Sequence, residues 1–336
     1  MGTENKIFVV GNSWSGTTSM SRILGCHPNI FTFRELHFFE QLWNPEDTQR
    51  LAIEQARDLL SRLITIQRNG YLTQKQFQLY REEALKILGK NYSPKYPTEI
   101  YQIFLYSETI KEGGLLPCEQ TPRNVYYIQE ILEIFPTGYV INMIRDPRDV
   151  MLSQKNKWRR RLLGGEGFST ITLLRFWCNY HPITISLLWR SGIQAAYRII
   201  DHPRVFNIKF EVLIESPESC IKDLCDRIGL EYVPEMIQIP QIGSSLEKDK
   251  LGMKPLAVGH WKRGGLNSSE IFLCQRILRD ELGKYGYRTE YIQPSIFLLI
   301  KNIFLFPVKS LLALLFNFRR IGSIIDTLKR RFIKNN

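Results

Sequence analysis

"FVVGNSWSGTTSMSRIL", residues 8–24, is the stretch whose reading decides the fold. An apolar run ends in Gly11, four residues follow, and then comes Gly16. That spacing suits a Gly-rich phosphate-binding turn between a buried strand and a helix. Such a turn offers main-chain N–H groups and a helix N-terminus to anionic oxygens, here from Ser13, Trp14, Ser15, Gly16, Thr17 and Thr18. The lysine expected after the second glycine is missing, because Thr17 and Thr18 stand there. Lysine would neutralise the β- and γ-phosphates of a nucleoside triphosphate beside Mg²⁺, so a triphosphate is poorly compensated. A sulfuryl group carries less charge than a phosphoryl group and its transfer needs no metal clamp. Taken alone, the loop fits an ordinary strand–helix turn almost as well.

Outward from the loop, "KIFVVG" (6–11), "NIFTF" (29–33), "YVINMI" (139–144) and "RVFNIKF" (204–210) read as strands. Helices at 17–27, 125–138, 149–158, 217–230 and 268–286 alternate with them, which argues a parallel sheet with crossover helices. Pro45 to Lys111 has helical periodicity and no strand-like run. The expected class is therefore α/β: a P-loop-like three-layer fold with a central parallel sheet, a helical insertion at about 45–115 and a C-terminal helical tail.

The chain has 336 residues, 44% of them apolar, enough for a sizeable core. Its net charge of +12 points to an anionic partner. Much of that charge is local: from Tyr291 onward there are eight Lys and Arg against one acid, Asp326. The body is only mildly basic, so nucleic acid is not the expected partner. The six cysteines form no CxxC pair and no metal-ligand spacing. No metal is expected, and scattered thiols suit a reducing compartment. "MGTENK" runs straight into the first strand with no apolar leader. The expected location is cytoplasmic.

"INMIRDPRDVMLS" (141–153) places Arg145 at the C-terminal end of the best buried strand, the edge where open α/β sheets bind ligands. Its planar fork suits phosphate oxygens, and Ser153 lies two helical turns on. The competing reading is a surface ion-pair cluster of Arg145, Asp146, Arg148 and Asp149. Two anion sites on one sheet edge suggest a nucleotide phosphorylated at two places.

Here the chain resembles a known family. "GNSWSGTT" (11–18) and "RDPRDVMLS" (145–153) look like the two signature segments of sulfotransferases that use 3′-phosphoadenosine 5′-phosphosulfate. The resemblance implies that the first holds the 5′-phosphosulfate and the second the 3′-phosphate. "FEVLIESPESCIKDLCDRIGL" (210–230) is similar to the family's following strand–helix unit. "GHWKRGG" (259–265) resembles the late basic loop over the nucleotide, which brings in Trp261, Lys262 and Arg263. Trp261 reads equally as a core residue. The match spans roughly 6–290, with the insert unmatched, so the expected organisation is a sulfotransferase domain at 1–290 and a tail at 291–336.

"FRELHFFEQLW" (33–43) is similar to the Glu-x-His-Phe-Phe stretch of the carbohydrate branch, the heparan-sulfate type. That resemblance makes Glu35 the general base for an acceptor hydroxyl and His37 its orienting partner, with Phe38 and Phe39 anchoring the segment. The implied activity is sulfuryl transfer to a carbohydrate or glycolipid hydroxyl. A P-loop small-molecule kinase and a catalytically weak nucleotide-binding relative are the alternatives. Two positions depart from the family pattern: Trp14 and Gln120 stand where basic residues are usual, leaving Arg22, Arg34 or Lys262 to supply charge.

The tail is apolar and then basic. Lys301, Pro307 and Lys309 interrupt it, so no run of the ~18–20 residues needed to span a bilayer is expected. Two readings stay open: peripheral contact with the inner face of the membrane through 291–336, or a C-terminal helix pair packed on the body or on another subunit.

Overall fold

Strand β1 (Ile7–Gly11) is buried along its whole length because both faces of the sheet are covered. Its side chains alternate: Phe8 and Val10 enter one core, Ile7 and Val9 the other. Around it lie β2 (Ile30–Thr32), β3 (Leu116–Gln120), β4 (Tyr139–Ile144) and β5 (Val205–Lys209), all parallel, in the order β2-β3-β1-β4-β5. The computed structural model describes residues 5–46, 48–158, 170–239, 252 and 258–317.

Helices fill the crossovers: α1 (Thr17–Gly25) follows β1, and α2 (Ile53–Asn69), α3 (Arg81–Leu88) and α4 (Pro97–Lys111) lie between β2 and β3. Next come α5 (Ile128–Ile134), α6 (Pro147–Lys155), α7 (Thr170–Asn179) and α8 (Pro182–Tyr197). After β5 run α9 (Phe210–Glu215), α10 (Pro217–Ile228), α11 (Ser268–Ile277), α12 (Arg279–Lys284) and α13 (Ile296–Asn317). The α/β class, the central parallel sheet and the helical stretch before residue 112 agree with the sequence reading.

Two expectations need correction. The sheet has a fifth strand, β3, built from "LPCEQ", which carries no run of β-branched residues and a proline near its start. Tertiary burial between β1 and β2 overrides that weak local preference. The tail also differs, since α13 continues through Pro307 for 22 residues at mean hydropathy 1.9, long and apolar enough to cross a membrane. Its later part, 318–336, lies outside the described residues.

Candidate functional site

The five strands are parallel, so their C-terminal ends point to one edge, where the segments that follow β1, β2, β3 and β4 meet. At the end of β1, the chain turns through Asn12–Gly16 into α1, with Ser15 N donating to Asn12 O at 3.0 Å. Gly16 sits at φ 97°, and a Cβ there would lie 2.3 Å from Cδ2 of Phe210, so only glycine fits. Trp14 also has positive φ, 74°, a strained value for a bulky residue that the surrounding loop must hold. Helix α1 has no side-chain cap, so its first-turn N–H groups have no partner within the helix. Ser15 and Thr17 are buried, and Ser13 and Thr18 exposed. Ser15 Oγ is buried without a hydrogen-bond partner among the described residues. An orphaned hydroxyl beside uncapped amides fits an anionic group.

Arg145 follows β4 and reaches back to this loop. Its Nη1 donates to Trp14 O at 3.1 Å and approaches Ser153 Oγ at 3.5 Å. The guanidinium lies 4.5 Å over the Phe210 ring, the same ring that closes on Gly16. Burial pulls the Arg145 pKa below its usual value, with partial compensation from Asp149, Glu211 and Asp146. A buried cation with one face toward a Gly-rich loop is well disposed to a phosphate.

The rest of "RDPRD" is a buried frame, not a surface ion-pair cluster. Asp146 caps α6 through Arg148 N, and Arg148 Nη2 donates back to it at 2.7 Å. Asp149 accepts from Gly259 N and Trp261 N, both at 2.8 Å, and so holds the 259–263 turn against α6. Trp261 is 3% exposed, and the Arg148 guanidinium lies 4.1 Å from its ring centroid, so the indole fills the core. Lys262 is exposed and paired with Glu290; Arg263 lies in the same turn.

The acceptor side hangs from β2 and β3. Phe38 and Phe39 are each 1% exposed and begin a single π turn, Phe38–Leu42. They pin the preceding residues, leaving Glu35 half-exposed, its carboxylate 3.4 Å from His37 Nε2. On the other ring nitrogen Glu40 lies 3.6 Å away, and Arg123 grips Glu40 at 2.8 Å. Burial lowers the His37 pKa, but the Glu35 and Glu40 carboxylates outweigh it and raise the imidazole to about 9. His37 is thus a cation at neutral pH, held at φ 53°.

Three contributors escaped sequence reasoning. Glu119 is fully buried, accepts from Asn124 Nδ2 at 2.8 Å and from the Thr121 hydroxyl, and is pushed up to about 7 by that burial. Thr121 Oγ1 in turn accepts from Leu36 N at 3.1 Å and from His37 N at 3.4 Å. Gln120 Nε2 donates to Thr17 Oγ1 at 3.2 Å, so consecutive residues at the end of β3 hold both the loop and the acceptor segment. The third is Lys157, whose Nζ lies 5.3 Å over the Trp14 ring and 4.2 Å over Phe176. Among the residues expected to supply missing charge, Lys262 is engaged with Glu290, Arg34 is exposed, and Arg22 lies half-buried in the last turn of α1. No cluster of three or more His, Cys, Asp or Glu suited to a metal occurs among the described residues.

The comparisons fit this geometry. The model of a sulfotransferase family matches residues 6–234. The sulfotransferase domain from the Synechococcus PCC 7002 olefin synthase is similar in structure, with TM-score 0.52, 18% identity, and coverage of 86% of this chain and 97% of that one. A sulfotransferase domain from the curacin biosynthetic pathway gives TM-score 0.49, 18% identity, and coverage of 86% and 100%. An uncharacterized protein of Aquifex aeolicus (strain VF5) is 21% identical over 275 residues, 78% of this chain. The chain spans only 31% of that curated relative's length. By the match over most of its length, the chain belongs to the sulfotransferase family.

Proposed function

We propose that this chain transfers a sulfuryl group from 3′-phosphoadenosine 5′-phosphosulfate to a hydroxyl of a carbohydrate or glycolipid acceptor. The observation that carries the reading is the end of β3, where Gln120 bonds Thr17 of the loop and Thr121 bonds the backbone of Leu36 and His37. One rigid corner therefore sets the donor loop and the acceptor segment relative to each other.

The donor supplies an activated sulfuryl group. The loop amides with Ser15, Thr17 and Thr18 would hold its 5′ end, and Arg145 with Ser153 its 3′-phosphate. Glu35 takes the proton from the attacking hydroxyl. The imidazolium of His37 keeps Glu35 aimed while Glu40 and Arg123 fix the ring from behind. Lys157 supplies the charge that Trp14 cannot. The carbohydrate or glycolipid class rests on the "ELHFF" resemblance. All six cysteines are free, which agrees with a cytoplasmic setting.

A thermal-shift comparison tests the donor class. Adenosine 3′,5′-bisphosphate should raise Tm by several degrees at saturating concentration, and ATP with Mg²⁺ should not. The reverse order of stabilisation favours a kinase and removes the sulfuryl-transfer reading.

A further inference from the structure

We propose that α13 is a monotopic membrane-binding helix, which lies in the plane of an anionic lipid surface and does not cross it. Phe297, Ile300, Phe304, Val308, Leu311 and Leu315 recur every three or four residues along one face, with Phe297 82% and Phe304 73% exposed. The stripe runs along a helix of 22 residues, about 33 Å. A continuous apolar face of that length is uncommon on a protein surface in contact with water alone.

The opposite face is docked. Lys309 is 9% exposed, and its Nζ donates to Trp177 O at 3.3 Å and to Tyr180 O at 3.0 Å. Arg175 Nε donates to Phe316 O at 2.9 Å, and Asn317 Nδ2 to Asn179 Oδ1 at 2.7 Å. His181 Nε2 lies 3.0 Å from Asn302 O. Spanning a bilayer would require stripping this helix from α7 and the start of α8 and leaving those polar groups in hydrocarbon, which the lipid cannot satisfy. In the interfacial pose every one of these bonds is kept.

Two further observations select lipid over a second copy of the chain. Trp177 and Leu174, on α7 against which α13 packs, are 55% and 46% exposed and add apolar surface beside the helix, with the Lys309 ammonium 4.2 Å from the centroid of the Trp177 indole. The charge is also one-sided: α13 carries Lys301 and Lys309 and no acid, and the following 19 residues add six Lys and Arg against Asp326. That excess attracts anionic headgroups and repels an identical copy.

The full chain should float with phosphatidylcholine–phosphatidylglycerol vesicles at least about tenfold better than with phosphatidylcholine alone, and high salt should reverse most of the difference. Phe297→Asp and Phe304→Asp, both at exposed positions, should each weaken flotation about tenfold or more with Tm unchanged. Failure of the wild type to bind anionic vesicles overturns the proposal, as does undiminished binding by both variants. A dimer in solution that these variants dissociate identifies a second copy as the occupant instead. Resistance to alkaline carbonate extraction from cell membranes marks a spanning helix and equally overturns it.

Discussion

Gly16→Ala tests the mechanical link between the two halves of the anion site. The new methyl group would sit 2.3 Å from Phe210 Cδ2 and 2.8 Å from Cε2, distances that force the ring to move. Overpacking of this kind costs about 1–3 kcal/mol. A positive φ of 97° adds roughly 1–2 kcal/mol for a residue with a Cβ, and the stiffer unfolded chain returns about 0.5 kcal/mol. The net loss is therefore about 2–4 kcal/mol, against a total stability on the order of 5–15 kcal/mol. Urea unfolding of Gly16→Ala, Phe210→Val and the double variant separates the terms. Phe210→Val alone should cost about 2–3 kcal/mol for the lost ring. The pair should be less destabilised than the sum by about 1–3 kcal/mol, because trimming the ring removes the clash and leaves only the backbone strain. Because the displaced ring also underlies Arg145 at 4.5 Å, Gly16→Ala should weaken adenosine 3′,5′-bisphosphate binding at the same time. Additivity within about 0.5 kcal/mol, or a Gly16→Ala protein as stable as wild type, refutes the contact between the loop and α9.

Glu35→Gln should lower turnover roughly 10²-fold or more while nucleotide affinity holds, checked by steady-state rates and direct titration; near-normal turnover removes the base. Lys157→Met should raise the Kd for the bisphosphate about five- to tenfold, with a weaker salt dependence than wild type, measured by calorimetry at two ionic strengths. Stability should fall as pH rises. Glu119, lifted to about 7 by burial, binds a proton more tightly when folded, so its contribution fades from about pH 4.5 upward through 7. His37, held near 9 by two carboxylates, contributes fully below its unfolded value of about 6.5 and loses that contribution as pH climbs through 9. Denaturation across this range should show Glu119→Gln flattening the lower half of the decline and His37→Gln the upper half; unchanged profiles in both variants contradict the assigned environments.

How much of this could be read in advance differed by segment. The loop at residues 11–18 and Arg145 were legible because each follows an uninterrupted apolar run, so strand end and ligand edge coincide in the sequence. Glu35 and His37 were legible through the resemblance of "ELHFF", since nothing in local periodicity separates Glu35 from any solvated acid. Strand β3 was not legible: Pro117, Glu119 and Gln120 speak against a central strand, and only its insertion between β1 and β2 makes "LPCEQ" one. Glu119 stayed hidden with it, since a lone acid in a polar stretch gives no sign of full burial. Lys157 lies one turn beyond α6 and reaches Trp14 across the fold, a contact of 143 residues in separation that no spacing argument anticipates.

The hidden strand also accounts for the departure at Gln120. A basic residue there would serve two ends, charge near the donor and position for the loop. In this chain the two are divided. Gln120 keeps the positional role through its bond to Thr17, without introducing a cation beside the buried Glu119. Under the proposed function, charge comes instead from the rim, where the half-buried Lys157 lies over Trp14. A lysine buried at position 120 would draw the proton from Glu119, turning a carboxyl group that titrates near 7 into a fixed anion. The Thr121 hydroxyl, which links Glu119 to the backbone of Leu36 and His37, would then sit between two charges rather than beside a group free to be neutral. Keeping position at β3 and charge at the rim lets the acceptor segment hold its strained turn at His37 without a competing cation in the corner that supports it.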